Sequence, residues 1–291
     1  MKPQIRPAAQ VDPDDVLPTT VLADVHRLSG EFWSTASDEL IEEVPVALVY
    51  NGISHAVMLA SPSDLEDFAL GFSLSEGILA RPGELYDIEV KPGCDGISIE
   101  MEIASERFVG LKDRRRQLTG RTGCGLCGVE SLAGVTAMPD KTLRTGEPLT
   151  VAAIHEALRQ LPHWQAMRER CGSAHAAAWA DAAGNIRCVR EDVGRHNALD
   201  KLVGALARSG DAGDGFVLVT SRASYEMVQK TASAGLPALV AVSAPTALAV
   251  RQAQAAGLLL VGFARAHGMV VYAGAERIVD AGGVLAPPTL M

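Results

Sequence analysis

The chain has 291 residues, enough to bury a hydrophobic core without disulfides or metals to stabilise it. Hydrophobic residues make up 48% and charged residues 21%, which is typical of a globular protein, and aromatic residues are scarce at 4%. The formal net charge of −9 argues against broad nucleic-acid binding, because phosphate contacts need clustered lysine and arginine.

No signal-peptide pattern opens the sequence, and the longest apolar run near its end, residues 258–264, is far shorter than the ~20 residues that cross a bilayer. We therefore expect a cytoplasmic protein with no membrane partner. The five cysteines are an odd number for a disulfide framework. In the reducing cytoplasm, a closely spaced pair of cysteines is more often catalytic or metal-binding than structural.

In the first part of the chain, the pattern predicts a small β-rich domain. Residues 1–20 contain four prolines and should form an extended arm. Two apolar runs flank Asn51-Gly52, which predicts a β-hairpin, because a type I′ turn needs two residues with positive φ. A helix capped by Ser63 should run to about Leu79. Strands are predicted at residues 86–90 and 96–103.

The remainder of the chain alternates continuous apolar strands with helices. Strands are predicted at 174–180 and 185–189, paired around the turn at 181–184, and at 216–220, 237–242, 258–263 and 269–272. Helices are predicted at 151–161, 193–208 (capped by Asp192), 225–234 and 246–256. This alternation indicates an α/β domain with a largely parallel central sheet. The predicted division is therefore an arm (1–20), a β-rich domain (21–138) and an α/β domain (139–291).

Ligands of such sheets bind beyond the carboxyl ends of the strands. The polar segments predicted to leave those ends are residues 220–222, 243–246 and 263–268. Arg195 and His196 lie in the first turn of a helix, and Ser221 and Arg222 lie in a strand-to-helix turn. Helix N-terminal amides with guanidinium and hydroxyl groups suit phosphate or pyrophosphate. The other histidines, including His175, have no motif around them.

The β-rich domain ends in a CxxC loop, residues 121–128, in which three glycines neighbour Cys124 and Cys127. Glycine gives the backbone wide freedom, so the pattern predicts a mobile loop. The basic run 112–116 lies upstream, and cations near a thiol favour the reactive thiolate. The sequence therefore indicates sulfur chemistry at Cys124 and Cys127.

Several alternatives compete for this loop. It matches G-x-G-x-x-G, but no apolar strand precedes it, so a dinucleotide fingerprint is rejected. The zinc deaminase signature H-x-E is absent from the sequence. A zinc site completed by distant ligands and a thioredoxin-type dithiol both remain open. Cys94, Cys171 and Cys188 are interpreted as buried or incidental thiols.

Several segments together resemble one family, the formate dehydrogenase accessory sulfurtransferases, or FdhD family. The segments are the CxxC loop and residues 191–201, 221–230, 243–246 and 262–265. The resemblance implies an α+β protein with a cytidine-deaminase-like αβα domain, which assembles as a homodimer. It also implies sulfur transfer from a cysteine desulfurase, through a persulfide on Cys124, to bis-molybdopterin guanine dinucleotide before this molybdenum cofactor enters formate dehydrogenase.

In the family, the segment matching Phe263-Ala264-Arg265-Ala266-His267-Gly268 binds the cofactor, although glycine is common where this chain has Ala266. Our hypothesis is that Cys124 carries sulfur, while Cys127 assists its release or carries sulfur itself. Arg222, Arg265 and Arg195 would hold pyrophosphates, helped by Ser221 and His196, and GDP would serve as a surrogate ligand. No resident metal is expected. The rival hypotheses are a cofactor-binding chaperone without sulfur chemistry and a zinc-binding CxxC protein.

Overall fold

The computed structural model of the chain describes residues 5–7, 17–118, 143, 146–210, 213–280 and 283–284. The CxxC loop and the predicted domain boundary at residues 138–139 lie outside these ranges. The strands of the first part are β1 (Ile5–Pro7), β2 (Thr20–Ser29), β3 (Phe32–Ile41), β4 (Val44–Tyr50), β5 (Ile53–Ala60), β6 (Leu85–Gly93) and β7 (Gly96–Ile103). The helices are α1 (Leu65–Ser75) and α2 (Ser105–Leu118).

The predicted hairpin is confirmed as β4 and β5, which pair antiparallel around the turn. Asn51 has a φ of 45° and Gly52 a φ of 78°, the two positive values that this turn requires. The predicted strands at 86–90 and 96–103 are confirmed within β6 and β7. The four strands form one sheet in the order β5-β4-β7-β6.

One prediction for this part is wrong, and two of its elements were not predicted. Helix α1 begins at Leu65 after Asp64, not at a Ser63 cap, and it ends at Ser75 rather than Leu79. The long pair β2 and β3 was not predicted, because half of its side chains are polar and its far half is exposed on both faces. The basic run 112–116 belongs to helix α2, which its low apolar content concealed.

The second part contains strands β8 (Leu149–Thr150), β9 (His175–Asp181), β10 (Ile186–Asp192), β11 (Gly215–Val219), β12 (Ala238–Ala241), β13 (Leu259–Arg265), β14 (Gly268–Ala273), β15 (Ile278–Asp280) and β16 (Gly283–Val284). Its helices are α3 (Val151–Gln160), α4 (Ala166–Cys171), α5 (Arg195–Ser209), α6 (Tyr225–Ser233) and α7 (Ala247–Ala256). The predicted strands and long helices are confirmed within about two residues, while α4 was not predicted.

Six of these strands form the main sheet, in the order β10-β9-β11-β12-β13-β14. Only β11, β12 and β13 pair in parallel, whereas β10 with β9, β9 with β11 and β13 with β14 are antiparallel. The predicted pairing of 174–180 with 185–189 is confirmed as β9 and β10. The prediction of a largely parallel sheet was wrong, because only two of the five strand pairs are parallel. The mixed α+β class is confirmed.

One hydrophobic core joins the two parts of the chain. It contains inward side chains of the four-stranded sheet, most of α1, the buried face of α5 and one face of the six-stranded sheet. A second core lies on the opposite face of that sheet, beneath α3. Because α1 contacts both β6–β7 and α5, it connects the smaller sheet to the larger one.

Helices α1 and α5 approach closely at two glycines. A Cβ atom on Gly71 would lie 1.7 Å from the Asp200 carbonyl oxygen, and one on Gly204 would lie 1.9 Å from the Asp67 carbonyl oxygen. No side chain fits at either position, because the obstacle is backbone rather than a movable side chain. The two glycines therefore set the distance between the helices.

Replacing Gly71 by alanine should lower the free energy of unfolding by about 3 kcal/mol or more, because the added methyl forces the helices apart. Urea unfolding measures this change. Gly110→Ala is the matched control, since Gly110 lies in α2 with nothing within 4 Å of an added Cβ. It should be neutral or slightly stabilising. Equal stability of the two variants would contradict the proposed packing.

Candidate functional site

Four strands of the main sheet end at the same edge. Strand β10 is antiparallel to β9, which is antiparallel to β11, so β10 runs in the same direction as β11, β12 and β13. The segments at the ends of these strands therefore lie side by side. They are residues 193–196, 220–224, 242–246 and 263–268. We call this the carboxyl edge. It brings together the cofactor-binding residues predicted from the sequence.

Backbone contacts link these segments to each other. Ala223 and Pro245 form an isolated parallel bridge, and the Thr246 amide donates to the Ala223 carbonyl at 3.0 Å. The Phe263 amide donates to the Ser243 carbonyl at 3.1 Å. The segments after β11, β12 and β13 are thus held as one continuous surface.

At the end of β13 the backbone is unusual. Phe263 has a φ of 50°, and the register of β13 with β14 shifts between Gly262 and Arg265. A left-handed conformation in a bulky residue costs about 1–3 kcal/mol and is found more often at binding sites. Phe263 is 40% exposed, while Ala264 beside it is fully buried. The distortion therefore leaves the Phe263 ring exposed two residues before the exposed Arg265.

The rest of the predicted 263–268 segment is open to solvent. Arg265, Ala266, His267 and Gly268 are all exposed where β13 turns into β14. Gly262 precedes the segment, and a Cβ there would lie 2.8 Å from the Pro245 Cδ atom. Only glycine allows β13 to approach the segment after β12 this closely.

In the turn after β11, one of the two predicted ligand-binding residues is exposed and the other is buried. Arg222 is exposed, as a ligand-binding residue should be. Ser221 is buried, and its hydroxyl donates to the Arg222 carbonyl at 3.0 Å. Its hydroxyl therefore shapes the turn, and only its remaining lone pairs are available to a ligand. No side chain caps the start of α6.

Helix α5 begins at Arg195 with Gly194 as its N-cap, so the predicted cap at Asp192 is two residues early. No side chain caps this helix. The His196 Nε2 atom lies 2.9 Å from a Glu226 carboxylate oxygen, which ties α5 to α6. Hydrogen bonding from His196 lowers the pKa of Glu226, so that carboxylate stays ionised near neutral pH.

Beneath this helix start lies the buried carboxylate of Asp192. It accepts hydrogen bonds from the Gly194 amide at 2.7 Å, the Ser61 amide at 3.0 Å and the Asn197 side chain at 3.0 Å. The Lys201 Nζ atom lies 2.7 Å from the same carboxylate, and both side chains are fully buried. Asp192 therefore fixes the turn that places Arg195 and His196 at the carboxyl edge.

The arginines that lack carboxylate partners are concentrated at this edge. Among the arginines whose side chains the structure describes, most form ion pairs or, for Arg277, donate to backbone carbonyls. Those with neither kind of contact are Arg168, Arg195, Arg222, Arg251 and Arg265. All but Arg251, which is on α7, lie at or beside the carboxyl edge.

Sequence reasoning missed His175 and Arg168, which both lie at this end of the site. His175 opens β9 and pairs in register with Asp192, so it too lies at the carboxyl edge. Burial lowers the pKa of His175, and the nearby guanidinium groups of Arg195 and Arg168 lower it further. The predicted pairing of residues 174–180 with 185–189 is the signal that could have found His175, because it places the start of β9 beside the end of β10.

The predicted catalytic residues Cys124 and Cys127 lie outside the described residues. The other cysteines differ in exposure: Cys94 is exposed, and Cys171 and Cys188 are half-buried. Burial raises the pKa of Cys188, which disfavours its thiolate. In the ranges that the structure describes, no three His, Cys, Asp or Glu residues are grouped to hold a metal ion. No helix within those ranges is both long and apolar enough to span a membrane.

Comparison with known protein families matches residues 41–279 to the FdhD/NarQ family. The chain belongs to the FdhD/NarQ family. A relative from Cupriavidus necator, called sulfur carrier protein FdhD, is 56% identical over 277 residues, covering 95% of each chain. A protein of the same name from Xanthomonas euvesicatoria is 51% identical, covering 94% of this chain and 97% of its own.

A solved structure supports the fold. It is described as a putative formate dehydrogenase accessory protein from Desulfotalea psychrophila, and it superposes with a TM-score of 0.73. The match covers 90% of this chain and all of that one, at 22% sequence identity. This likeness supports the fold over 90% of the chain described here.

The buried ion pair of Asp192 and Lys201 leads to a prediction about stability. Lys201→Met should lower the free energy of unfolding by about 3–5 kcal/mol, because it leaves the Asp192 carboxylate buried without its cation. Chemical denaturation measures the loss. The double variant Lys201→Met/Asp192→Asn should recover part of it, since the uncompensated charge is removed. A loss below about 1 kcal/mol in the single variant would show that the pair is not the anchor described.

Proposed function

We propose that this chain is a sulfur carrier for formate dehydrogenase maturation. It accepts sulfur from a cysteine desulfurase as a persulfide on Cys124 and delivers it to bis-molybdopterin guanine dinucleotide bound at the carboxyl edge. The observation that supports the sulfur step most directly is the shared name of relatives that are 50% or more identical over nearly the whole chain, sulfur carrier protein FdhD. The reducing cytoplasm suits such a thiol carrier.

The carboxyl edge supports the nucleotide part of the proposal. In a chain with a net charge of −9, arginines without carboxylate partners are expected to be rare. Among the side chains that the structure describes, Arg195 and Arg222 are two of them, and they lie beside the uncapped starts of α5 and α6. Guanidinium groups and helix-start amides together favour diphosphates. The exposed ring of Phe263 offers a flat surface on which a purine can stack.

The sulfur step needs no external oxidant. The Cys124 thiolate attacks the outer sulfur of the donor persulfide, the donor S–S bond breaks, and the donor cysteine leaves as a thiolate. Release as sulfide requires two electrons. The Cys127 thiolate supplies them by attacking the Cys124 sulfur, which forms a Cys124–Cys127 disulfide and expels hydrosulfide toward the acceptor. A reductant of the thiol class must then restore the pair.

Incubation with a cysteine desulfurase and cysteine should add about 32 Da, one sulfur atom, to the peptide that contains Cys124. The adduct should disappear on reduction and in Cys124→Ala. In Cys127→Ala it should accumulate, because release is blocked. Mass spectrometry of the digested protein measures each case.

Cys94→Ala is the matched control, because Cys94 is an exposed thiol in a turn. It should retain the adduct. An adduct that persists in Cys124→Ala, or no adduct in the native chain, would rule out the sulfur carrier role of Cys124. Delivery that continues in a Cys124→Ser/Cys127→Ser variant would favour the binding-only chaperone.

A further inference from the structure

The four-stranded sheet has one face in the main core and one face exposed along β5, β6 and β7. Its inner face packs into the core that also contains α1. On the outer face, the β5 residues Val57 and Leu59 are 62% and 54% exposed. They lie directly opposite Ala47 and Pro45 of β4. A contiguous exposed apolar patch on a globular protein marks an interaction site.

The same outer face is acidic on β6 and β7. Asp87 lies directly opposite Glu102, and Glu89 lies directly opposite Glu100, and all four are exposed. Like charges in this arrangement destabilise a sheet. Lys91 lies 3.0 Å from Glu89 and 2.6 Å from Glu100. Asp87 and Glu102 have no ion pair among the described residues. The acidic strands therefore carry repulsion that cations from outside would relieve.

The two halves of this face adjoin. Strand β4 lies between β5 and β7, and Val49 of β4 pairs in register with Glu100 of β7. A complementary partner must therefore be apolar over β4 and β5 and cationic over β6 and β7. A second copy bound about a two-fold axis offers the same patch, with four carboxylates against one lysine, and does not supply the cations.

The outer face is also close along the chain to the CxxC loop. Strand β7 ends at Ile103, α2 begins at Ser105, and α2 ends at Leu118, three residues before the loop. A helix of 14 residues is about 21 Å long. The carboxyl edge belongs to the other sheet, with α1 and α5 between the two sheets. A protein docked on the outer face therefore leaves the carboxyl edge accessible.

We propose that the outer face of the four-stranded sheet docks the sulfur donor, a cysteine desulfurase, through an apolar patch of that enzyme flanked by lysine or arginine. The inference rests on the proposed function, which requires a donor to reach Cys124. Donor and acceptor then occupy different surfaces and bind at the same time. Because opposite charges steer the encounter, docking weakens as salt is added.

Sulfur loading from two donors separates docking from chemistry. A cysteine desulfurase must dock, whereas glutathione persulfide reaches Cys124 without a protein interface. Val57→Ser/Leu59→Ser should slow adduct formation from the desulfurase by about tenfold or more and leave the rate from glutathione persulfide unchanged. Asp87→Asn/Glu102→Gln should also slow loading from the desulfurase and reduce its dependence on salt. This second variant should be at least as stable as the native chain, because it removes a like-charge pair.

Leu28→Ser/Trp33→Ser is the matched control, since these side chains are also exposed and lie directly opposite each other on β2 and β3. It should load at the native rate from both donors. Loading from the desulfurase at the native rate in either face variant, or equal slowing with both donors, would overturn the docking site and leave the proposed function intact. Dissociation of a native dimer by Val57→Ser/Leu59→Ser, measured by sedimentation, would also overturn it, because the face would then join two copies of this chain. No adduct from either donor in the native chain would overturn both proposals.

Discussion

A single buried carboxylate connects the two parts of this structure to its candidate site. Asp192 ends strand β10, binds the backbone of Ser61 ahead of α1, and holds the turn that opens α5. Lys201, in the second turn of α5, neutralises it and also donates to the Ser61 carbonyl at 3.0 Å. Burying two charges is costly unless each is well paired. Every contact of this pair therefore constrains the position of Arg195 and His196.

Other buried polar groups strengthen the same junction. Lys230 on α6 lies 3.0 Å from Asp200 on α5 and 2.6 Å from Glu76 at the end of α1. Burial raises the pKa of Asp200 and opposes the effect of Lys230, so this carboxylate depends on its cation to remain charged. Arg190 on β10 likewise binds Asp67 on α1 at 2.7 Å. The smaller sheet and α1 therefore hold the helices of the carboxyl edge in place.

Much of this architecture could be predicted from the sequence, because apolar runs and turn residues determine local structure. The hairpin at Asn51-Gly52 and strand β7 were found correctly. The antiparallel pairing of β9 with β10 was predicted from the turn at 181–184, but that of β13 with β14 was not, because an apolar pattern is the same in either strand direction. His175 was missed because no motif surrounds it, and Arg168 was missed because α4 is too short to show a periodic pattern. The family resemblance is confirmed by the match over residues 41–279. The roles of Cys124 and Cys127, the homodimer and the cytidine-deaminase-like fold stay predictions.

The central claim is that the carboxyl edge binds a guanine nucleotide. Hydrogen–deuterium exchange with and without saturating GDP tests it most directly, because bound diphosphate and purine slow exchange of the amides they contact. We predict protection in residues 220–224, 242–246 and 263–268. A surface groove between α1, β6 and the end of α5, lined by Glu66, Tyr86 and Arg208, should remain unchanged. Protection confined to other segments, or none at saturating GDP, would contradict the account.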